Sequence, residues 1–257
     1  MKKLIAFDLD GTLAPSKSIL PQRMAGLLDE LLEKFEICII SGGKYELFQH
    51  QVLNELTKSP RLLKKLHLMP TSGTRYFSYD ETINDWKLVY AEDLSPEQKT
   101  KIIKALEEGL HESGHKAEKT YGEVIEDRDS QITLSILGQE IVAELGEEGV
   151  RIKEAWDPDG TKKLEIRSIV APKIPEFEVR AAGATSIDVT KPGIDKAHGM
   201  KKLMEAADLT KEDILFLGDK IIEGGNDYAV YKMGIDCISV RNWEDTAYTV
   251  EGITKAC

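Results

Sequence analysis

Three short apolar runs in this chain end in the same way. Leu4-Ile5-Ala6-Phe7 runs into Asp8, Ile37-Cys38-Ile39-Ile40 into Ser41, and Ile214-Leu215-Phe216-Leu217 into Gly218-Asp219. Uninterrupted runs of this length are what strands covered on both faces of a parallel sheet show. Between the first two, Pro21 opens a helical pattern that places Leu27, Leu28, Leu31, Leu32 and Phe35 on one face. Lys44 to Thr57 reads as a second helix. Strand–helix–strand order predicts a parallel sheet with right-handed crossovers. Ligands of such sheets lie beyond the carboxyl ends of the strands. Asp8, Ser41 and Asp219 should therefore converge on one crevice, with Gly11, Gly42 and Gly43 letting backbone approach a ligand closely.

The middle of the chain reads differently. From about Ile83 to Ser186 the signals are those of antiparallel strands: Trp86 to Tyr90, Val124 to Glu126, Ile132 to Leu137 and Lys163 to Ile166. Asp157-Pro158-Asp159-Gly160 reads as a turn between two of them. Two amphipathic helices intervene. One opens at Ser95-Pro96-Glu97, where Ser95 and Gln98 make a capping box, and the other lies around Gln139 to Gly146. After Ile187 the first rhythm returns, with helices over Lys196 to Ala207 and Asp227 to Met233 and strands over Ile214 to Leu217 and Cys237 to Val240. The expectation is an α/β core built from residues 1–82 and 187–257, split by an inserted α+β cap over residues 83–186.

Composition narrows the classes of partner. The chain has 257 residues, 41% hydrophobic and 31% charged, and a formal net charge of -11. Such a surface repels nucleic acid and anionic membranes, so neither is an expected partner. Acidity does not exclude a phosphorylated substrate, because a bound cation reverses the local field. Leu4 to Phe7 is the whole of the uncharged stretch before Asp8, too short for a signal peptide, and no run of 18 apolar residues occurs. The expected location is the cytoplasm. Cys38, Cys237 and Cys257 show no paired spacing, and the first two sit in apolar runs that suit inert buried thiols.

The chemistry-bearing segment is Asp8-Leu9-Asp10-Gly11-Thr12. An ionised carboxylate attacks phosphorus competently, but a phosphate monoester is also an anion. A divalent cation between them removes the repulsion and polarises the phosphoryl oxygens. Asp219, Asn226 and Asp227 supply hard oxygens suited to magnesium. Asp10 is then free to protonate a leaving oxygen and later to deprotonate water. Two rival readings fail on spacing. A calcium loop starting at Asp8 needs glycine and glutamate where Leu13 and Ile19 stand. A P-loop ending at Gly43-Lys44 needs glycine where Cys38 stands and Ser or Thr where Tyr45 stands. A plain β-turn remains open for an isolated D-x-D-G, as does a helix-opening loop for Gly224-Gly225-Asn226-Asp227.

Taken together, these pieces resemble the haloacid dehalogenase superfamily, whose four motifs occur here in order. They are Asp8-x-Asp10-Gly11-Thr12, then Ser41 at a strand end, then Lys196 in Gly193-Ile194-Asp195-Lys196, then Gly218-Asp219 with Gly225-Asn226-Asp227. The resemblance implies a Rossmann-like parallel-sheet core. It makes Asp8 the nucleophile and Asp10 the acid and base, with Thr12, Ser41, Gly42 and Lys196 around the phosphate. Magnesium would be held by Asp8, Asp10 through its backbone carbonyl, and Asp219, supported by Asn226 and Asp227.

The insertion is similar to the α/β cap of the Cof-like sugar-phosphatase subgroup and, within it, to eukaryotic-type phosphomannomutases. Gly218-Asp219-Lys220, the eight-residue step from Asp219 to Asp227, Ser186-Ile187-Asp188-Val189 and Glu126-Asp127-Arg128 carry that likeness. By it, Lys17, Arg128, Ser186 and Asp188 are candidate substrate contacts, and a homodimer through the cap is allowed. Arg128 is read equally well as a solvated charge at a strand edge. The departures weigh against a mutase, because Lys17 and Gln139 stand where that pattern has arginines, and only guanidinium grips phosphate bidentately. Lys163, Arg167 and His198 are left as surface or satisfied residues. The expectation is a magnesium-dependent phosphatase of a small phosphorylated metabolite, a sugar phosphate being favoured, with a phosphohexomutase as the alternative. The rival of another class is a non-catalytic sensor of a phosphorylated ligand; intact Asp8, Asp10, Lys196 and Asp219 argue against it.

Overall fold

The structure is a computed structural model and describes residues 2–256; Cys257 lies outside them. The chain opens with β1 (Leu4–Phe7), α1 (Gln22–Lys34), β2 (Glu36–Ile40), α2 (Tyr45–Phe48), a π-helical stretch (Gln49–Leu53), α3 (Pro60–Leu63) and β3 (Leu66–Met69). The hairpin of β4 (Arg75–Asp80) and β5 (Asp85–Ala91) follows. Next come α4 (Pro96–Ser113), β6 (Ile125–Asp127), β7 (Gln131–Ser135), α5 (Ile141–Leu145), α6 (Glu147–Trp156), α7 (Thr161–Val170), β8 (Glu178–Ala182) and β9 (Ser186–Thr190). The chain closes with α8 (Lys196–Ala207), β10 (Ile214–Gly218), α9 (Tyr228–Lys232), β11 (Asp236–Ser239) and α10 (Trp243–Ala256). Its contacts divide into two units: residues up to Ala91 with those from Asp195 on, and Glu92–Ile194.

The first unit is built on a seven-stranded sheet in the order β11-β10-β1-β2-β3-β4-β5. The strands from β11 to β3 are parallel, and the β4–β5 hairpin adds an antiparallel edge. Both faces are covered, which is why these strands read as continuous apolar runs. Ile5, Phe7, Ile37 and Ile39 pack with Leu28 and Leu31 of α1 and Val250 of α10. Leu4, Ala6, Cys38 and Ile40 pack on the other side with Met200 and Leu203 of α8 and Val230 of α9. The parallel α/β architecture expected from the sequence is present.

The second unit has a four-stranded antiparallel sheet in the order β6-β7-β9-β8. Strand alternation gives it two unlike faces. Ile132, Leu134, Val179, Ile187 and Val189 meet Ile102 and Leu106 of α4 and Ile166 and Val170 of α7 in one core. The register places Thr133, Ser135, Ser186, Asp188 and Arg180 on the opposite, polar face. The capping box at α4 is formed as expected, with Ser95 accepting from the Gln98 amide and Gln98 from the Ser95 amide.

Several expectations need correction. Trp86 to Tyr90 belongs to the first unit, not to the insertion, because β5 folds back on β4 through a short local hairpin. Residues 187–190 belong to the second unit, since β9 pairs with β7 and β8 and sends Ile187 and Val189 into that core. The boundaries therefore fall at Ala91 and Asp195 rather than at 82 and 187. Lys163 to Ile166 is helix, not strand: Ile166 and Val170, four residues apart on α7, are buried while Leu164 is exposed. Asp157-Pro158-Asp159-Gly160 is a turn, but between α6 and α7. The helix expected over Lys44 to Thr57 breaks into α2 and the π-helical stretch. Cys38 is buried, whereas Cys237, on the edge strand β11, is half-buried.

Candidate active site

Every core residue singled out in the sequence lies in the first unit, at the carboxyl end of its sheet. Asp8 follows β1 directly, with its amide donating to the Leu217 carbonyl at 3.0 Å. The residue is 4% exposed. One carboxylate oxygen accepts from the Thr12 hydroxyl at 3.3 Å, and the other contacts the Lys196 ammonium. Lys196 is the first residue of α8 and is 1% exposed; it also donates to Asp227 Oδ1 at 2.5 Å. The second Asp227 oxygen accepts the Lys220 amide at 3.0 Å. Asp8, Asp219 and Asp227 each present an oxygen within 4.8 Å of the other two.

The electrostatics follow from two buried carboxylates sharing one ammonium. Burial pushes Asp8 up to about 7, against the pull of Lys196, and Asp227 adds to the rise. Burial works against the Lys196 charge as well, yet Asp8 and Asp227 outweigh it and lift the ammonium to about 12. Lys196 is therefore charged throughout, and the uncompensated negative charge stays with the carboxylates. A cluster of hard oxygens short of positive charge is the donor set magnesium takes. Asp8 and Asp219 fit as its carboxylate ligands. Asp227, already engaged by Lys196 and the Lys220 amide, fits better as a support.

Local geometry explains the glycines. Gly11 has φ +87°, and a Cβ there would stand 2.7 Å from Asp219 Oδ2. A Cβ on Gly218 would stand 2.5 Å from Asp227 Oδ2. These two positions are bare so that the carboxylates can close on the loop. Ser41 follows β2, its amide donating to the Met69 carbonyl at 3.2 Å and its hydroxyl accepting the Gly43 amide at 3.3 Å. Gly42 lies between them, and nothing stands within 4 Å of where its Cβ would be. Asn226 sits immediately before Asp227, in the loop ahead of α9.

Lys17 enters in an unexpected way. Its backbone amide, presented at φ +54°, donates to Asp10 Oδ1 at 2.5 Å and so orients the acid–base candidate. Of the substrate candidates, Arg128, Ser186 and Asp188 lie in the second unit. Arg128 donates to Glu126 at 2.7 Å and to Gln139 at 3.3 Å. Burial raises the Asp188 carboxyl, opposed by Arg128 and by the Thr133 hydroxyl at 2.8 Å. Arg180 on β8, not singled out in the sequence, is register-paired with Asp188 and held by Glu178 at 2.9 Å. Glu178-Val179-Arg180 repeats the spacing of Glu126-Asp127-Arg128, and that repeat was the available signal. His198 contributes its backbone amide to the Asp195 cap of α8 at 2.9 Å.

A buried strand-end aspartate, an ammonium bridging it to a second carboxylate, and a three-carboxylate cluster thus lie together at one end of the first unit's sheet. The chain belongs to the haloacid dehalogenase-like hydrolases, matching that family over residues 5–233. It is an enzyme of that family's phosphatase type. Over 262 residues it is 25% identical to a phosphomannomutase of Encephalitozoon cuniculi, covering 99% of this chain and 94% of the relative. Among solved structures it resembles a Plasmodium falciparum IMP-nucleotidase, with TM-score 0.68, 20% identity, and coverage of 98% of this chain and 70% of that one. A haloacid dehalogenase-like hydrolase from Bacteroides thetaiotaomicron matches with TM-score 0.62 and 18% identity, over 98% of this chain and all of that one. The two structural likenesses speak to the fold. Among the described residues no helix is long and apolar enough to cross a membrane.

Proposed function

We propose that the protein hydrolyses the phosphate monoester of a small metabolite, a sugar phosphate being favoured, with magnesium bound at Asp8 and Asp219. The observation that carries this reading is the Asp8, Asp219 and Asp227 cluster with Lys196 bridging two of its members. Magnesium, when bound, supplies the counter-charge that lets one anion approach another. Asp8 Oδ attacks phosphorus, an O–P bond forms, and the bond to the leaving oxygen breaks as Asp10 delivers its proton. Asp10 then takes a proton from water, whose oxygen attacks the same phosphorus. Inorganic phosphate leaves and the Asp8 carboxylate is restored. Lys196 and the Ser41 hydroxyl neutralise and hold the phosphoryl oxygens, and the Lys17 amide keeps Asp10 aimed. The second unit is the substrate-selecting cap in this reading.

A phosphohexomutase is the second reading, favoured by the relative that matches almost the whole chain. A mutase must hold a sugar that still carries a phosphate until it turns over and exchanges the phosphoryl group with Asp8, which needs a second strong anion site. Here Gln139 stands where a guanidinium is needed, and Arg128 spends hydrogen bonds on Glu126 and on that glutamine. Losing one charged hydrogen bond weakens retention by about 2 kcal/mol, or roughly thirtyfold. Water then wins the intermediate. The test is a panel of hexose monophosphates with magnesium, each with and without a hexose bisphosphate as activator. Phosphate release is expected. Conversion of a hexose 1-phosphate to its 6-phosphate faster than release would overturn the choice of hydrolysis.

A further inference from the structure

The most contorted backbone in the first unit lies not at the carboxylates but just beyond β3. Thr71 (φ +49°), Ser72 (φ +58°) and Gly73 (φ +82°) are three consecutive left-handed residues. Only the last is a residue type that adopts this conformation freely, and a β-branched residue there is a marked outlier. Such backbone persists where its surroundings over-determine it, and here they do. The Thr71 amide donates to the Gly43 carbonyl at 2.9 Å and the Ser72 amide to the Ser41 carbonyl at 2.9 Å. The Tyr90 hydroxyl donates to the Gly73 carbonyl at 2.6 Å, and the Thr74 hydroxyl to the Thr71 carbonyl at 2.8 Å.

The other side of the same turn is pressed against α8. A Cβ on Gly73 would stand 2.3 Å from the Gly199 Cα, and one on Gly199 would stand 2.7 Å from the Ser72 carbonyl oxygen. Gly199 lies three residues after Lys196, in the first turn of α8. One turn therefore touches both the segment that carries Ser41 and the helix that carries Lys196. Two successive amides can face the Ser41–Gly43 carbonyls because Thr71 is left-handed; an extended Thr71 would send the Ser72 amide the opposite way. The left-handed Ser72 in turn sets the direction of its own carbonyl, the atom that lies against Gly199.

We infer that Thr71–Thr74 is a positioning device that sets the spacing between Ser41 and Lys196, with Ser72 acting through its backbone, its amide on the Ser41 carbonyl and its carbonyl against Gly199. The inference rests on the reading of Ser41 and Lys196 as phosphate ligands. It assigns no chemistry to the Ser72 hydroxyl. What matters at that position is tolerance of positive φ.

The test is a substitution series at one residue. Ser72→Gly and Ser72→Asn tolerate the left-handed conformation, whereas Ser72→Val does not. Turnover of a small aryl phosphate, inhibition by orthovanadate and amide hydrogen exchange over residues 41–43 and 196–199 are measured on folded protein. The Val variant should lose about tenfold or more in kcat with KM changed less than about threefold, bind vanadate more weakly, and exchange faster in both segments. The Gly and Asn variants should stay within about twofold of the parent. A purely structural role would lower the melting temperature and leave these readouts per folded molecule alone. Wild-type kcat and exchange in the Val variant would overturn the inference, as would equal losses in all three. If the Val variant does not fold, Tyr90→Phe removes the bond to the Gly73 carbonyl and should speed exchange at 41–43; unchanged exchange overturns the inference. Hydrogen exchange needs no turnover, so a parent enzyme that released no phosphate would sink the proposed function and still leave this inference decided.

Discussion

Asp8→Asn should destroy activity and, without metal, make the protein more stable. The carboxyl of Asp8 is raised from 3.8 to about 7, chiefly by burial. A carboxyl whose folded value lies above its unfolded one holds its proton more tightly in the fold. Stability is therefore lost as pH rises from about 4 to about 7 and is flat above that. Three units at about 1.4 kcal/mol each set a ceiling of roughly 4 kcal/mol for the burden at pH 8. The amide gives up the attraction of Lys196, and it must still be satisfied by Thr12 and Lys196, so about half of that ceiling should be recovered. Lys196 then pairs one-to-one with Asp227. For a chain of this size about 2 kcal/mol corresponds to roughly 4–8 °C in Tm.

The assay is thermal unfolding of both proteins in excess chelator at pH 5 and pH 8, beside a phosphate-release assay. The variant should melt higher at pH 8, by less at pH 5, and should release phosphate only at background rate. Magnesium should raise the Tm of the parent more than that of the variant, because the parent carries the charge the cation neutralises. A variant less stable than the parent in chelator at pH 8 would refute the account of Asp8 as a buried, under-compensated charge. Substantial phosphate release by the folded variant would refute its role as nucleophile.

Chelation should abolish phosphate release and added magnesium restore it; full activity in excess chelator would exclude the metal-dependent reading. Asp219→Ala should raise the magnesium requirement by about tenfold or more, and more than Asp227→Ala does, since Asp227 already serves Lys196 and the Lys220 amide. Gly11→Ala, at φ +87° and 2.7 Å from Asp219 Oδ2, should cost about 1–3 kcal/mol of stability and most of the activity. Gly26→Ala, on the exposed side of α1 with nothing within 4 Å, should instead stabilise by about 1 kcal/mol and leave turnover unchanged. Unfolding curves and kcat for the pair would show whether the local geometry has been judged correctly.

What could be seen in the sequence was the chemistry that depends on residue type. β1, β2 and β10 are uninterrupted apolar runs because both faces of the sheet are covered, so their polar ends stood out as Asp8, Ser41 and Asp219. β3 has the same place in the sheet, but His67 interrupts it; that side chain is accommodated by bonds to Tyr76 at 2.7 Å and Glu36 at 3.1 Å, which local sequence does not announce. Lys163-Leu164-Glu165-Ile166 alternates like a strand, yet the pairs that decide its state are Ile166 and Val170 against the sheet of the second unit. The boundaries of the insertion were missed for the same reason, since pairing partners rather than propensity place β5 and β9. Backbone geometry was least visible of all. Lys17 was read as a cation, but its clearest contribution is an amide at φ +54° aimed at Asp10. Thr71 and Ser72 carry no glycine signal, because their left-handed backbone is imposed by Ser41 with Gly43, by Tyr90 and by Gly199, from three separate parts of the first unit. A carboxylate can be recognised one residue at a time, whereas a strained turn exists only where several segments meet.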